Sequence, residues 1–281
     1  MSSSPKTREL SPADDPAWTR GILNPGAEGQ RFRLARLSPA AELAGFVERY
    51  WCVRWDLAEG DSYLSETMPY PSVNVVFEPG ASAVNGIFTR RWSRTLRGRG
   101  RVFGVKFQPG AFAALFARPI RQLTDRRVPI ADVFGEAGDA LARSLLAQAE
   151  DEQRALVFEA FLRARLPPPD PERERVTRIV QLALNTPSLR RVSELAERSA
   201  VPSRTLQRTF RRYLGVTPKW LLCRFRIQEA AQRVAEGSAV DWPALALELG
   251  YFDQAHFASD FKAQIGKTPS EYSALTRSDK P

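Results

Sequence analysis

Three polar side chains, Arg204, Gln207 and Arg208, fall on one side of a helix when the segment from Arg204 to Tyr213 is drawn at 100° per residue. The other side is apolar and holds Leu206, Phe210 and Tyr213. A guanidinium group can donate two hydrogen bonds to O6 and N7 of guanine, and a carboxamide can pair with N6 and N7 of adenine. The segment therefore predicts a helix that buries its apolar side and reads base edges with its polar side. The simpler alternative is a cationic helix face that meets only solvent.

Two copies of one arrangement would position such helices. Residues 192–215 and residues 242–266 each predict a short helix, a tight break and a second helix. This helix-turn-helix unit can place its second helix in the major groove of DNA. Between the units, Thr217-Pro218 starts a helix that runs to about Glu236, because Thr is favoured at the N-cap and Pro in the first turn. A helix of roughly 30 Å would hold the two units about one DNA turn of ~34 Å apart.

The positive charge of the chain is concentrated on the first unit. The 281 residues carry a net charge of +9, which favours a polyanionic partner. Residues 190–226 contain ten basic and two acidic side chains, a net of +8, whereas residues 241–271 contain two basic and five acidic side chains, a net of −3. Contacts to phosphate position a protein on DNA without reading its sequence. The predicted phosphate contacts are Arg211, Arg212, Lys219 and Lys262.

Residues from about 173 to 277 resemble the DNA-binding domain of AraC/XylS-type transcriptional regulators. The residues that carry the resemblance are Leu195-Ala196, Arg204-Thr-Leu-Gln-Arg208, Phe210, Leu214-Gly-Val-Thr-Pro218, Arg226, Ala246, Leu249-Gly-Tyr-Phe-Asp-Gln-Ala-His-Phe257, Phe261 and Gly266-Lys-Thr-Pro-Ser-Glu-Tyr272. The resemblance implies sequence-specific binding to double-stranded DNA and control of transcription. The base-contacting positions that it implies are Arg204, Gln207 and Arg208 in the first unit and Gln254, Ala255, His256 and Ser259 in the second.

The sequence departs from the family pattern in both units. Ser259 stands where the family often has Arg, and Asp260 beside it would repel phosphate. Ala200 stands where the first turn often has Gly, and Pro202 stands where a capping Ser is common, which favours a helix start at Ser203. We therefore expect the first unit to contribute more to DNA recognition than the second.

Changes in composition divide the chain into four segments. These are a flexible tail over residues 1–30, a β-rich regulatory or oligomerisation domain with C-terminal helices over 31–166, a Pro-rich linker over 167–171 and an all-α DNA-binding domain over 172–278. The predicted fold class is therefore α+β. Strands are predicted at 31–37, 50–55, 73–77, 86–89 and 102–107, a short helix at 39–49, and two helices around 141–146 and 156–162.

Aromatic side chains in the β-rich domain predict either a pocket or plain core. The residues predicted to line a small-molecule effector pocket are Trp51, Trp55, Phe77 and Phe103. The region resembles the β-rich regulatory domain found ahead of some AraC/XylS-type regulators, and many such domains are cupin-like. A metal-dependent cupin needs histidine ligands, whereas His256 is the only histidine of the chain, so no metal site is expected. The basic stretch from Arg90 to Arg101 has three alternative interpretations: a site for an anionic effector, a contact to DNA, or a solvated loop between strands.

The cysteines and the hydropathy pattern predict the compartment. Cys52 and Cys223 are far apart in apolar surroundings, which predicts buried thiols in a reducing cytoplasm. No apolar run reaches the ~18 residues of a membrane helix, and no apolar segment follows the first residues as in a secretory signal. A cytoplasmic protein with no membrane partner, no cofactor and no catalytic residue is expected.

Three alternatives to a ligand-sensing regulator stay open. One is a DNA-repair enzyme that uses Cys52 in methyl transfer, and another is a basic architectural protein that binds all DNA alike. The third is a regulator whose N-terminal domain dimerises and senses nothing. Beyond DNA, the partners that the sequence leaves open are RNA polymerase, a small-molecule effector and a second copy of the chain bound through the N-terminal domain.

Overall fold

The computed structural model describes residues 9–10, 23, 29–235 and 241–278. Within them a β-rich N-terminal part is followed by a helical C-terminal part, which confirms the α+β fold class. The tail predicted over residues 1–30 lies almost entirely outside the described residues. One described piece of it, Glu9–Leu10, forms a short strand that pairs with the strand Arg33–Leu37.

The strands of the N-terminal part form a large sheet and a small one. Their bounds are β1 Glu9–Leu10, β2 Arg33–Leu37, β3 Val47–Asp56, β4 Ser62–Thr67, β5 Asn74–Phe77, β6 Ala83–Asn85, β7 Trp92–Arg97, β8 Arg99–Phe107 and β9 Arg127–Pro129. The large sheet is antiparallel, with the strand order β1-β2-β3-β8-β5-β6-β9, and β4 pairs with β7 in a separate two-stranded sheet. The strands β3, β5 and β8 are rich in the β-branched and aromatic residues that favour a pleated surface.

Local structure differs from the sequence prediction at three places in this part. The helix predicted over 39–49 is reduced to a 3-10 turn at Ala41–Leu43, because the β-prone run of β3 already begins at Val47. Residues 86–89 follow β6 and are not a strand. The basic stretch from Arg90 to Arg101 contains β7 and the start of β8 rather than a loop.

One face of the large sheet packs against helices and forms the core. The helices are α1 Ala113–Phe116, α2 Ile130–Phe134, α3 Glu136–Leu146 and α4 Asp151–Arg163. Tyr50, Phe77 and Phe103 from the sheet are buried here. The ring of Phe158 on α4 lies 6.0 Å from that of Phe77 and 6.2 Å from that of Tyr50, so α4 is fixed to the sheet by aromatic contacts.

The C-terminal part consists of seven helices in the described residues. They are α5 Pro171–Leu184, α6 Val192–Arg198, α7 Ser203–Tyr213, α8 Pro218–Ala235, α9 Trp242–Glu248, α10 Gln254–Ile265 and α11 Pro269–Ser278. Asp170 caps α5 by accepting from the backbone N–H of Glu172 at 3.0 Å, and it also accepts from the hydroxyl of Tyr213 at 2.9 Å. The end of the predicted 167–171 linker is therefore packed against α7, and α5 begins one residue before the predicted start at Glu172.

The first helix-turn-helix unit, α6 and α7, rests on the N-terminal part. The hydroxyl of Thr124 donates to the carbonyl of Gly215 at 2.9 Å, just after α7. The indole N–H of Trp220 donates to the carbonyl of Thr89 at 3.1 Å. Ile87 joins the apolar cluster of the C-terminal helices, so the two parts share buried surface here.

The second unit, α9 and α10, is held to the same part by different groups. The buried guanidinium of Arg224 on α8 donates to the carbonyl of Pro69. Met68 lies in the apolar cluster of α8, α9 and α10. The ammonium of Lys267 lies 3.7 Å from a carboxylate oxygen of Glu66 on β4. The segment at the end of β4 is thus in contact with the helix that separates the two units.

Candidate nucleic-acid interface

The helix α7 separates a buried apolar face from an exposed polar face. Leu206 and Phe210 have no exposed surface. The exposed side chains of the opposite face are Arg204, Gln207, Arg208, Arg211 and Arg212. Among the described residues, no ion pair holds Arg204, Arg208 or Arg211. These long donors therefore project from a helix whose other face is fixed in the core, which is the geometry needed to reach base edges and phosphates.

The turn before α7 places a residue other than glycine in the left-handed conformation. Ala200 has φ +52°, a left-handed conformation that costs an L-residue with a Cβ about 1–2 kcal/mol. The backbone N–H of Val201 then donates to the carbonyl of Ala196 at 3.0 Å. The helix begins at Ser203 with Pro202 at its N-cap position and no side-chain cap. The observed start agrees with the start at Ser203 that the sequence predicts.

Some of the basic side chains counted over residues 190–226 are buried or half-buried. Arg224 is fully buried, and Arg226 donates to the carbonyl of Leu249 at 3.2 Å while its guanidinium lies over the ring of Tyr251. The exposed basic side chains among the ten of residues 190–226 are Arg191, Arg198, Arg204, Arg208, Arg211, Arg212 and Lys219. The sequence count of +8 therefore overstates the charge that DNA would meet, because Arg224 and Arg226 serve the packing of α8 and the half-buried Arg190 donates to the carbonyl of Glu248 at 3.1 Å.

The second unit repeats the architecture with shorter side chains on its outer face. Asp253 caps α10 by accepting from the backbone N–H of His256 at 2.7 Å. Phe257 and Phe261 are fully buried. The exposed side chains of α10 are Gln254, Ala255, His256, Ser259, Lys262 and Ala263. Serine and alanine at these positions reach less far from the helix axis than the arginines of α7.

The sulfhydryl of Cys223 holds part of the second unit in place. It donates to a carboxylate oxygen of Asp260 at 3.2 Å and accepts from the amide of Gln264 at 3.3 Å. Cys223 also packs against the apolar cluster of the second unit, as predicted, but its side chain is half-buried rather than buried. Burial and the adjacent Asp260 raise the pKa of this thiol to about 11, which keeps it protonated. Because Asp260 accepts this hydrogen bond, its charge is directed toward α8 as well as toward solvent.

The helix α8 joins the two units into one body. Its 18 residues span about 27 Å at 1.5 Å per residue. Leu221 and Leu222 pack with the first unit, whereas Ile227 and Ala230 pack with the second. The predicted end at Glu236 and the stop at Gly237 lie outside the described residues. A single rigid helix with apolar side chains in both clusters fixes the spacing of α7 and α10.

Comparisons with known proteins agree with this geometry. Residues 195–274 match a family model described as a helix-turn-helix domain, and residues 35–129 match one described as a domain of unknown function, DUF6597. The chain is 34% identical over 80 residues to the HTH-type transcriptional activator RhaS of Yersinia pestis, a match that covers 28% of this chain and 28% of the relative. The chain carries an AraC-type helix-turn-helix domain in its C-terminal part. The earlier resemblance is thereby confirmed.

Solved structures give two further comparisons. A regulator with an AraC-type DNA-binding domain from Chromobacterium violaceum is 24% identical, with a TM-score of 0.34 over 37% of this chain and 92% of that chain. ToxT from Vibrio cholerae is 14% identical, with a TM-score of 0.37 over 88% of this chain and 97% of that one. The match to curated relatives spans just over a quarter of their length.

One exposed residue of the AraC-type domain was missed as a candidate contact. Phe252 lies in the turn before α10 and is 91% exposed. It is adjacent to the cap Asp253 and close to the first exposed side chains of α10. A large aromatic residue in a turn, between Tyr251 and a capping Asp, is the sequence signal that could have identified it. An apolar side chain at this place can contact a thymine methyl group or a deoxyribose.

In the part ahead of the AraC-type domain, two of the four residues that were predicted to line an effector pocket do line a cavity. A cavity of about 260 Å³ lies on the sheet face opposite the core, and Trp51 and Trp55 line it. Phe77 and Phe103 do not line it, because they belong to the opposite face and are buried against α4. The prediction is therefore wrong for these two residues. Arg94 of the basic stretch also lines the cavity and pairs with Glu78 at 2.7 Å.

The alternative of a reactive cysteine finds no support in the surroundings of Cys52. The thiol is 2% exposed, and burial together with the carboxylate of Asp151 raises its pKa to about 12. A methyl-accepting thiol must be reachable and readily ionised. In the part of the chain that the structure describes, no group of three or more His, Cys, Asp or Glu side chains could hold a metal ion. Over the same residues, no helix is long and apolar enough to cross a membrane.

Proposed function

We propose that this chain is a cytoplasmic transcriptional regulator that binds double-stranded DNA sequence-specifically through both units of its AraC-type domain. The observation that carries the proposal is the exposed row of Arg204, Gln207 and Arg208 on a helix whose opposite face is locked in the core. The relatives of this domain carry names of transcriptional regulators and activators. A domain of that kind acts where DNA is exposed to RNA polymerase.

In the first unit, the proposed base contacts are made by the exposed donors near the start of α7. Arg204 and Arg208 are one turn apart on the same face, and Gln207 lies between them. Arg211, Arg212 and Lys219 follow toward and beyond the helix end, where exposed cations suit the phosphates that flank the groove. The first unit thus combines base readout and charge neutralisation on one surface.

In the second unit, the proposed contacts are fewer and more apolar. Gln254, His256 and Ser259 face outward on α10, and Lys262 is the cation suited to phosphate. Phe252 adds an apolar contact at the start of the helix. Phe252→Ala is expected to weaken binding to the selected site while leaving the dependence on salt unchanged, because no charge is removed. Equal binding of the variant and the wild-type chain would remove Phe252 from the interface.

The competing function is a basic architectural protein, and a selection experiment separates the two. Full-length protein is used to enrich a random DNA library, and the affinity for the enriched site is compared with that for shuffled DNA of equal length and salt. A regulator is expected to prefer its site by about 10³-fold or more. Equal affinity for both DNAs would favour the architectural protein.

The N-terminal part is proposed to modulate DNA binding, because it contacts both units and α8. The domain limits 31–166 and 172–278 stay predictions.

Because Asp170 caps α5 and accepts a hydrogen bond from Tyr213, a fragment made to isolate the DNA-binding domain should begin at residue 170. RNA polymerase and a second copy of the chain also stay predicted partners. Sedimentation of the full chain with and without the enriched DNA tests whether a second copy of the chain binds.

A further inference from the structure

The cavity of the N-terminal part has a flat aromatic wall built from paired tryptophans and glycines. Trp51 is directly opposite Gly104 in the pairing of β3 with β8, and Trp55 is opposite Gly100. A Cβ at either glycine would overlap the indole ring of its partner, so only glycine lets the rings lie across the neighbouring strand. The indole N–H of Trp51 donates to Asn74 at 3.2 Å, which fixes its orientation. The strands β4 and β7 contribute Ser65, Thr67, Trp92, Arg94 and Leu96 to the lining.

Beside this wall, a row of polar side chains crosses five adjacent strands. The register pairs Arg49 with Lys106, Lys106 with Asn74, Asn74 with Asn85, and Asn85 with Arg127. All five residues line the cavity. Residues directly opposite one another in antiparallel strands have side chains on the same face, so the row forms one continuous polar strip. The strip brings two guanidinium groups, one ammonium group and two carboxamides together on the cavity side of the sheet.

Two buried groups of the cavity have unused hydrogen-bonding capacity. Ser72 is 3% exposed and lines the cavity, and among the described residues no group is within hydrogen-bonding distance of its hydroxyl oxygen. The same holds for the side-chain oxygen of Asn85. A buried polar group without a partner costs about 1–3 kcal/mol, so a ligand that supplies partners here would gain affinity. Both residues lie on the polar side of the cavity.

The ammonium group of Lys106 shares its carboxylate partner, Glu48, with Arg49. Glu48 accepts from Lys106 at 2.9 Å and from Arg49 at 2.6 Å, so one carboxylate serves two cations. Burial, together with the positive charges of Arg49 and Arg36, lowers the pKa of Lys106 to about 8 against the opposing effect of Glu48. No acidic side chain lines the cavity among the described residues. An additional anion would therefore be stabilised at this place.

We propose that the cavity is an effector site for a small aromatic carboxylate, an inference that rests on the proposed function as a regulator. The carboxylate accepts from the ammonium of Lys106 and the hydroxyl of Ser72, and the aromatic body lies against Trp51 and Trp55, while the unpaired side-chain oxygen of Asn85 is left for a donor elsewhere on the ligand. The volume of the cavity, about 260 Å³, lies just below the ~300–1,000 Å³ that is typical of ligand pockets, so the ligand is small. Charge-assisted hydrogen bonds and aromatic contacts together give such a site its selectivity.

The wall of the cavity also connects the ligand to the DNA-binding helices. Thr67, Met68, Pro69 and Tyr70 line it. Met68 packs in the apolar cluster of the second unit, and the carbonyl of Pro69 accepts from Arg224 of α8. The ring of Tyr70 lies 3.6 Å below the ammonium of Lys106. A carboxylate bound at Lys106 therefore lies next to Tyr70, in the same segment whose Met68 and Pro69 contact α8 and the second unit.

The test measures ligand binding to the full-length protein without DNA, by calorimetry and by tryptophan fluorescence. The probes are indole-3-acetate and phenylacetate, each compared with its neutral amide at constant ionic strength. At least one acid is expected to bind about tenfold tighter than its amide, a difference of ~1.4 kcal/mol, because charge-assisted hydrogen bonds are roughly twice as strong as neutral ones. Binding of neither acid, or equal binding of acid and amide, would overturn the proposal.

Variants locate the site and control for folding. Lys106→Gln and Asn85→Asp are each expected to remove the preference for the acid, the first by losing a cation and the second by adding a repelling carboxylate. Arg33→Gln is the matched control, because Arg33 is an exposed cation on β2 outside the cavity lining. An undiminished preference in Asn85→Asp, with the wild-type melting temperature, would overturn the assignment. Because DNA is absent, this result is independent of the selection experiment.

The connection to α8 has its own readout. Hydrogen exchange of the backbone amides of α8 is expected to slow when the tighter acid is bound to the wild-type chain. Unchanged exchange in α8 at saturating acid would contradict the role of Thr67 to Tyr70 as the connection.

Discussion

The turns of the two helix-turn-helix units are closed by equivalent hydrogen bonds, from Val201 to Ala196 at 3.0 Å and from Tyr251 to Ala246 at 2.9 Å. Each turn contains a left-handed residue, Ala200 in the first and Gly250 in the second. The outer faces of the helices that follow are unlike. The first presents long cationic donors, and the second presents Ala255, His256 and Ser259 with a nearby exposed phenylalanine.

The comparison shows that the fold of each helix-turn-helix unit does not depend on the side chains exposed on its second helix. Buried aromatic residues such as Phe210 and Phe257, together with the apolar side chains of α8, determine where each helix lies, and these side chains are not exposed for contact with DNA. The outer residues can therefore change without loss of the fold. We infer that the first unit supplies most of the affinity and most of the sequence information, while the second mainly adds surface and register.

The largest effect is expected from Arg208→Ala. Loss of a two-pronged contact to a base should cost about 1–3 kcal/mol on the enriched site, roughly 5- to 150-fold in affinity, and should relax the preference at one or two base pairs. Ser259→Ala is the matched change on α10 and should cost less than about 0.5 kcal/mol, because a short hydroxyl hardly spans to a base edge. Fluorescence anisotropy with the enriched DNA measures both. A Ser259→Ala loss as large as that of Arg208→Ala would break the comparison.

Next in size is the effect of Gly250→Ala on stability. Gly250 has φ +77°, and a Cβ there would lie 2.8 Å from the Cδ of Arg190. Left-handed strain predicts a loss of about 1–2 kcal/mol in the free energy of unfolding. Urea denaturation of the full chain, followed by circular dichroism, measures the change. A variant as stable as the wild-type chain would show that the second turn tolerates the same residue as the first.

A smaller effect is expected from Arg211→Ala, which tests the electrostatic half of the comparison. Loss of one phosphate contact should lower the log–log slope of affinity against salt by about 1 and weaken all DNA sequences alike. Arg143→Ala removes an exposed charge from α3, away from the AraC-type domain, and should leave the slope unchanged. If Arg211→Ala alters the preferred sequence, Arg211 is a base reader instead.

The smallest effect is expected from Ala200→Gly. Glycine relieves the left-handed strain at φ +52°, but it also gives the unfolded chain more freedom, so the net gain in stability should be about 0.5–1 kcal/mol. Ala263→Gly on the exposed side of α10 is the opposite control and should lose about 1 kcal/mol. Thermal unfolding of both variants measures this. Destabilisation by Ala200→Gly would mean that the first turn is unstrained.

The C-terminal helices could be predicted because their signals are local. Capping residues such as Asp241 and Asp253, prolines in first turns and the 3.6-residue period of apolar side chains set their bounds and faces. The inward direction of Arg224 and Arg226 could not be predicted, since their partners Pro69 and Leu249 are distant in sequence. Helical period alone does not distinguish a cation buried against a carbonyl from one exposed to solvent.

The N-terminal site was less predictable because sheet faces depend on register between distant strands. Alternation within β3 separates Trp51 and Trp55 from Tyr50 and Cys52. Which set faces the core depends on how β3 pairs with β8 and where α4 packs. For the same reason Phe103 was assigned to the pocket although it lies in the core. The strands β4 and β7 were missed because their alternation is polar and basic rather than apolar.

Binding-site selection with three full-length proteins, the wild-type chain, Arg208→Ala and Ser259→Ala, tests the central claim most directly. The enriched sites are aligned and the information at each base pair is compared between the three. We expect two segments about one DNA turn apart, with the richer one flattened by Arg208→Ala and neither one altered by Ser259→Ala. Two equally informative segments, or a rich segment that changes only with Ser259→Ala, would contradict the account.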